Sequence, residues 1–258
     1  MKEKDNLFDK IIGRSLEEKI AIKEHLEDVK RKGYNYKRNG RWAFTLVFGF
    51  NEFVSSMFSI LCFIINIFLF KKYKKRILIK QKDIKQLIQF NYYISNLAYL
   101  SAFLFHCQET VFTRNADYCT AVLSILSFVL LKVIKLLIIL KYKRVKWIYL
   151  VVIIILLLYF SYMYIIKFDY RLNRIFCGTL VVIGTVASII IIFSCKELLK
   201  NSISYWICLY LGFLIESMDF PPLFNYTTDS HSLWHMMLLL SIPCYYKMLE
   251  TEFLLIKF

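Results

Sequence analysis

Two histidines in the segment DSHSLWH have the residue type and spacing that most directly suggest chemistry. His231 and His235 are four residues apart, so both side chains would lie on one face of a helix, as in the helical histidine pairs that bind zinc. A third histidine, His106, would complete a three-histidine zinc site with a fourth position left for water. The alternative is that these are interfacial histidines, hydrogen-bonded to backbone or to lipid headgroups.

Several carboxylates accompany these histidines. Asp117 follows His106 across a short predicted turn and could act as a base toward a metal-bound water or orient a ligand imidazole. It could also simply cap a helix N-terminus. Asp229 precedes His231 by two residues and could likewise cap the last helix or support a ligand. The other carboxylates near the ends of apolar segments are Glu52, Glu216 and Asp219.

Apolar segments long enough to cross a membrane must position these residues. The chain has 258 residues, 58% of them hydrophobic. Continuous apolar runs at 147–166 and 175–194 are each about 20 residues long, the length of a membrane-spanning helix. Neither run shows the polar face of a soluble core helix. We therefore predict an all-α membrane protein, a seven-transmembrane helix bundle. The predicted spans are approximately 42–70, 87–106, 118–140, 147–166, 175–194, 203–218 and 232–249.

Residues 1–40 form a charged N-terminal tail that is distinct from the seven-span domain of residues 41–258. Ser15 and Glu18 have capping-box spacing, and Ile20, Leu26 and Val29 could share one apolar stripe of a helix. We interpret this pattern as a short interfacial helix; a disordered, solvated tail is the alternative.

Composition argues against two other classes of protein. A net charge of +15 invites a nucleic-acid interpretation, but the basic residues cluster at the ends of apolar runs, as in KKYKKRILIKQKDIK and KYKRVK. That arrangement is typical of juxtamembrane loops, so we predict no nucleic-acid partner. The seven cysteines fall mostly inside apolar runs without a CxxC pair, so we predict buried free thiols rather than a disulfide framework.

The positions of Lys and Arg also predict an orientation. These residues concentrate in the loops after spans one, three and five, which places those loops in the cytosol. Lys132 and Lys135, in span three, are expected to snorkel toward that interface. The histidines and carboxylates described above then all lie toward the opposite, luminal side, and we expect them to converge there.

Three segments resemble motifs of a known family. IESMDFPPLFNYTTDSHSLWH resembles the ELLDFPP…DAHALWH signature of the Per-one-like family, also called the post-GPI attachment to proteins factor 3 family. FHCQETVFTRNADYC is similar to the family's FHTRD…EKMDY, with the spacing from His106 to Asp117 preserved. GRWAFTLVFGFNEFVSSMFS is similar to GKWPF…QEP.S..FS. The last motif aligns Trp42, Glu52, Ser55 and Ser59.

The resemblance, which runs from about Gly40 to the C-terminus, implies a fold and a function. The family belongs to the alkaline ceramidase and progestin/adiponectin-receptor-like transmembrane hydrolase superfamily. It implies a zinc-dependent GPI phospholipase of the A2 type, a carboxylic ester hydrolase that removes the sn-2 acyl chain of GPI-anchored proteins. Its substrates would be GPI-anchored proteins and lipids, and its active site would face the lumen of the endoplasmic reticulum or Golgi. Residues 41–258 would form the hydrolase domain.

The resemblance also implies roles for individual residues. By analogy with the superfamily, the three histidines bind zinc, and Asp117 is the acid/base toward a zinc-activated water. The family serine four residues before the first histidine is Ala102 in this chain. Ser101 is the adjacent catalytic candidate, rotated by roughly 100° around the helix. The supporting residues are Glu52, Asp219 and Asp229.

Two alternatives follow from these departures and analogies. Ala102 favours a non-catalytic membrane scaffold or receptor that retains a structural zinc site. A related ceramide amide hydrolase would share the metal chemistry, but the DFPP and GRWAF matches count against it.

Overall fold

The computed structural model describes residues 16–34, 37–38, 41–78, 84–142, 145–166, 168–194 and 197–255. Within these residues the regular secondary structure consists of helices and of two strands of two residues each, which pair antiparallel. The elements are α1 (Leu16–Lys32), β1 (Lys37–Arg38), β2 (Arg41–Trp42), α2 (Phe53–Leu78), α3 (Lys85–Cys107), α4 (Val111–Ile139), α5 (Val145–Ser161) with a π-helical turn (Tyr162–Ile166), α6 (Tyr170–Ser194), α7 (Leu198–Ser217) and α8 (Ser230–Leu255).

Five of the described helices are long and apolar enough to cross a membrane: α2, α4, α5 with its π-helical turn, α6 and α7. The prediction of a helical membrane protein is therefore confirmed. The other two predicted spans, 87–106 and 232–249, coincide with α3 and α8. These helices carry buried polar side chains, such as Asn91 and Asn96 in α3 and Ser241 in α8. The count of seven crossings therefore stays a prediction.

The first predicted span begins too early, because α2 starts at Phe53 and not at residue 42. Phe48 and Gly49 have φ angles of 53° and 80°, which a helix cannot contain. The backbone N–H of Glu52 donates to the His106 carbonyl at 3.0 Å, and that of Asn51 donates to the Cys107 carbonyl at 3.2 Å. These bonds satisfy carbonyls at the end of α3 that have no partner within the helix.

The described helices pack as a bundle in which α2 contacts α3 and α8, α3 contacts α4, α4 contacts α6, and α7 contacts α8. Gly212 allows α7 to lie close against α8. A Cβ atom at this position would lie 2.8 Å from the Trp234 ring and 2.8 Å from the Met237 Cβ. Because only glycine fits there, the first turns of α8 are held at a fixed distance from α7.

The expectation that Lys132 and Lys135 snorkel to the interface is wrong. Both side chains are fully buried, and both ammonium groups pair with the Glu252 carboxylate of α8. Two buried ammonium groups require a nearby counter-charge, and helix packing brings one from α8. The pair therefore joins α4 to α8.

The tail forms a helix whose interfacial position stays a prediction, and the described cysteines are free as predicted, although only Cys62 and Cys107 among them are buried. α1 forms over Leu16–Lys32, so the tail contains the predicted helix; Ser15, its predicted cap, lies outside the described residues. The six cysteines in the described part of the chain are free thiols.

Candidate metal centre

Three histidines converge between the end of α3 and the start of α8. His106 lies in the last turn of α3, and its Nε2 is 3.0 Å from the Nε2 of His235. The Nε2 of His235 is in turn 3.2 Å from the Nε2 of His231. Two imidazole nitrogens bound tetrahedrally at ~2.0–2.1 Å to one zinc ion would be about 3.3 Å apart. The three side chains could therefore hold a metal ion.

The opposite nitrogen of each ring contacts a different oxygen. The Nδ1 of His106 is 2.7 Å from the Glu52 carboxylate. The Nδ1 of His231 is 3.1 Å from Glu216, which lies in the last turn of α7. The Nδ1 of His235 is 3.2 Å from the hydroxyl oxygen of Ser59 in α2. Such partners fix the orientation and the tautomer of metal-binding imidazoles.

These contacts determine where the ring hydrogens lie. Ionised carboxylates only accept hydrogen bonds, so His106 and His231 each carry their hydrogen on Nδ1. The Ser59 hydroxyl donates to the Ser55 carbonyl at 2.8 Å, so it accepts from the Nδ1 of His235. If the three rings are neutral, each Nε2 is then an unprotonated lone pair, as metal binding requires. The three close Nε2 atoms fit either a shared cation or hydrogen bonds from a protonated ring to its neighbours.

The charge of the surrounding groups also fits a divalent cation. Three neutral imidazoles contribute no charge, whereas Glu52 and Glu216 together contribute two negative charges. The side chains of His106 and Glu52 are 1% and 6% exposed, so the medium around them screens charge poorly. A divalent ion would offset the negative charge of these two carboxylates.

Asp229 caps α8, as one of its two predicted roles requires. Its Oδ1 accepts from the backbone N–H of Ser232 at 2.7 Å and from the Ser232 hydroxyl at 2.9 Å. The hydroxyl oxygens of Ser232 and Ser55 are 3.0 Å apart, which connects this cap to α2. Burial raises the pKa of the Asp229 carboxyl, and the nearby Glu52 carboxylate raises it further.

Asp219 lies on the outer side of the loop between α7 and α8 and contacts the strand pair. Its carboxylate accepts from the Trp42 Nε1 at 3.0 Å and pairs with Lys37. Tyr34 stacks on Tyr226 of the same loop, with ring centroids 4.1 Å apart. Asp219 thus supports the loop that leads to His231.

The two predicted catalytic residues lie outside the group of converging nitrogens. Asp117 is half-buried in the second turn of α4 and is not one of the grouped donor residues. Ser101 is buried in α3, next to the buried Ala102, and the hydroxyl that contacts a histidine ring is that of Ser59. Their catalytic roles stay predictions.

Sequence reasoning did not assign Glu216 or Ser59 to particular histidines. The sequence did contain a signal for Ser59. The spacing of Glu52, Ser55 and Ser59 places all three on one side of a helix, with Glu52 just before its first residue. Glu216 had no comparable signal, because its distance to His231 depends on how the loop between α7 and α8 folds back.

Comparisons with known proteins give a consistent set of matches. The model of the Per1-like family matches residues 20–253. "Post-GPI attachment to proteins factor 3" of Drosophila melanogaster is 22% identical over 215 residues, which cover 82% of this chain and 65% of the fly protein. "Protein PER1" of Saccharomyces cerevisiae is 32% identical over 100 residues, 36% of this chain and 28% of the yeast protein. The chain thus matches less than two thirds of the length of either relative.

Proposed function

The chain belongs to the Per1-like family, and from this membership we propose that it removes the sn-2 acyl chain of GPI-anchored proteins by zinc-dependent hydrolysis. The name of the fly relative, a post-GPI attachment factor, supports the substrate class. The observation that carries the hydrolytic part is the convergence of three imidazole Nε2 atoms. Three imidazoles with one free position form a common catalytic zinc site.

The metal would be held by His106, His231 and His235, the group of donors that the fold brings together. When bound, zinc acts as a Lewis acid that polarises an ester carbonyl and supplies a nucleophilic water near neutral pH. Glu52 and Ser59 keep their imidazoles oriented with Nε2 free, and both are buried, so they hold the geometry without exchanging with solvent.

Substrate would approach the centre from the side of α7. The His231 and Glu216 side chains are 34% and 23% exposed, whereas the His106 side chain is 1% exposed. An acyl ester could therefore reach the nitrogens past His231 but not past His106. Asp117 would hold or release the proton of the hydrolytic step, and Ser101 would donate a hydrogen bond to the developing oxyanion.

The proposed membrane arrangement follows from the same reasoning. α2 to α8 would cross the membrane seven times, with the histidines on the luminal side of the endoplasmic reticulum or Golgi. The basic end of α2 and the basic segment that follows α4 would face the cytosol. GPI-anchored proteins are luminal in these compartments, so this orientation brings substrate and site together.

Lipid analysis of GPI anchors tests the function directly. Cells without the gene should accumulate anchors that retain the unsaturated sn-2 chain, and wild-type protein should restore remodelling. His106→Ala should not restore it, whereas His25→Ala, which changes the remaining histidine, should. Normal anchors in cells without the gene would contradict the proposal.

A second candidate function is a non-catalytic scaffold with a structural metal, which the alanine at position 102 favours. An assay of purified, zinc-loaded protein with a GPI lipid distinguishes the enzyme from the scaffold. Hydrolysis supports the enzyme; stoichiometric zinc without hydrolysis supports the scaffold.

A further inference from the structure

A basic groove lies at the end of the bundle opposite the histidines, between the end of α2 and the start of α3. It has a volume of about 560 Å³, and its main lining residues are Phe70, Lys74, Lys75, Leu78, Lys85 and Tyr93. With a rise of 1.5 Å per residue, Lys74 is roughly 22 Å along α2 from Ser59. The groove is therefore separate from the metal centre and does not depend on the proposed hydrolysis.

The lining of the groove contains three ammonium groups and no carboxylate. Lys74, Lys75 and Lys85 are exposed, and none of them forms an ion pair with another residue in the described part of the chain. Two acidic side chains of α8 at this end are already paired elsewhere. Glu250 binds Arg76 at 2.7 Å, and Glu252 binds the two buried lysines of α4. Within the described residues, these two carboxylates therefore do not neutralise the lysines of the groove.

A buried cluster that joins α4 to α8 also carries net positive charge. Lys132 and Lys135 share the single carboxylate of Glu252, which leaves one formal positive charge in excess. Phe253, whose ring lies 3.9 Å from the Lys135 Nζ, belongs to the same apolar core as Phe70 in the groove lining. A charge in such a weakly polarisable medium acts over a longer distance than one in water.

The other side of the groove is apolar and aromatic. Phe70 is buried and stacks on Tyr92, with ring centroids 3.7 Å apart, so its position is fixed before any ligand arrives. Tyr93 is 63% exposed. The groove therefore presents ammonium groups at the helix ends and aromatic surface toward the middle of the bundle.

We propose that this groove binds one anionic glycerophospholipid. Its phosphate would lie between Lys74, Lys75 and Lys85, and its acyl chains would run along Phe70 and Tyr93. The distribution of basic residues predicts that this end faces the cytosol, whose membrane leaflet contains the anionic phospholipids. A free phosphate would use the lysines but would leave the aromatic surface uncovered.

Native mass spectrometry of the full chain in detergent tests the proposal. Dioleoylphosphatidylserine and dioleoylphosphatidylcholine have the same acyl chains and differ in headgroup charge. We expect one phosphatidylserine to bind at concentrations at which phosphatidylcholine does not. The triple variant Lys74→Gln, Lys75→Gln, Lys85→Gln should weaken that binding on the order of a hundredfold, since each lysine near an anionic lipid contributes about fivefold.

A matched control removes the same charge outside the groove. Lys71, Lys72 and Lys200 are exposed and do not line it. Their triple change to glutamine should leave binding within about threefold of wild type. Thermal unfolding should be unaltered in both variants, because all six lysines are exposed. Equal losses in the two variants would show a general attraction of charge and overturn the proposal, as would equal binding of the two lipids.

A competition experiment separates a lipid from a free phosphate. Inorganic phosphate in large molar excess should not displace phosphatidylserine, and Tyr93→Ser should weaken lipid binding severalfold. Complete displacement by phosphate, or an unchanged affinity in Tyr93→Ser, would show that the ligand is a phosphate group alone and would overturn the assignment.

Discussion

Each histidine of the metal centre has one nitrogen committed to an oxygen and one directed at the other rings. For His235, the commitment depends on a serine whose own hydrogen is donated to the Ser55 carbonyl. The arrangement therefore specifies a tautomer for every ring as well as a position. Metal-binding histidines are commonly oriented in this way, by an oxygen that contacts the other ring nitrogen.

We expect the purified protein to hold about one zinc ion per chain. His235→Ala should abolish zinc binding, because two imidazoles and water rarely hold zinc well. Glu52→Gln should retain zinc but weaken its affinity about 10–100-fold, since it removes the negative charge of the group that orients His106. Metal analysis after dialysis against a weak chelator measures both, with His25→Ala as the control. Full zinc occupancy in His235→Ala would contradict the assignment.

Asp117→Asn should preserve folding and zinc content and reduce hydrolysis about 10²–10⁴-fold, because an amide cannot take up a proton in the hydrolytic step. Turnover of a GPI lipid together with zinc content gives the two measurements. Loss of zinc along with activity would make Asp117 an orienting residue, and unchanged activity would exclude it from the mechanism.

Ala102→Ser should raise hydrolysis if the chain lacks a donor to the oxyanion. Residue 102 lies one helical turn before His106 on the same face of α3, and both are buried. In other enzymes, removal of one such donor lowers kcat about 10²–10³-fold. Ala98→Ser, one turn further from His106, is the matched control and should have no effect. A decrease in hydrolysis by Ala102→Ser, with zinc retained, would show that this position does not face the reaction.

The sequence indicated the three histidines and Glu52, but it did not pair them with their partners. The spacing of His231 and His235 is a local property of one helix and can be read directly. The contacts of Glu216 with His231 and of Ser59 with His235 join different helices. Such contacts depend on helix packing, on which a single sequence carries little information.

At the scale of the elements, the predicted helices form, but some of them begin or end at other residues than predicted. The prediction extended α2 back to residue 42 because the segment is apolar, whereas its backbone N–H groups bind the end of α3. Lys132 and Lys135 were expected at an interface because the sequence does not reveal their partner. That partner, Glu252, is 117–120 residues away in the chain. Hydropathy identifies helices well, but it contains no term for a partner on another helix.

Gly212→Ala should destabilise the packing of α7 on α8. The new methyl group would lie 2.8 Å from the Trp234 ring and the Met237 Cβ, and such overpacking costs about 1–3 kcal/mol. Thermal unfolding in detergent should show a lower midpoint and a weaker affinity for zinc, because the same turns of α8 carry His235. Gly178→Ala is the control: no atom lies within 4 Å of a Cβ at that position. A midpoint unchanged by Gly212→Ala would contradict this packing.

At the scale of the whole molecule, the charge distribution predicts one orientation. An Asn-X-Thr acceptor on a flexible insert in the loop 219–229 should be glycosylated, and the same insert at 79–83 should not. Asn225→Gln should accompany both inserts, because Asn225-Tyr226-Thr227 is itself an acceptor sequence. A gel-mobility shift that is sensitive to glycosidase gives the result. The reverse pattern would place the histidines in the cytosol, away from GPI-anchored proteins.

The contact between Asp219 and the strand pair has a consequence for the order of synthesis. Trp42 and Asp219 are separated by 177 residues, so the ribosome makes the strand pair long before its partner loop exists. His231 and His235 follow that loop within the next turns of chain. A nascent chain therefore carries His106 without its two partners until α8 is made, 129 residues later for His235. Premature termination before Asp219 would leave the strand pair without its partner loop.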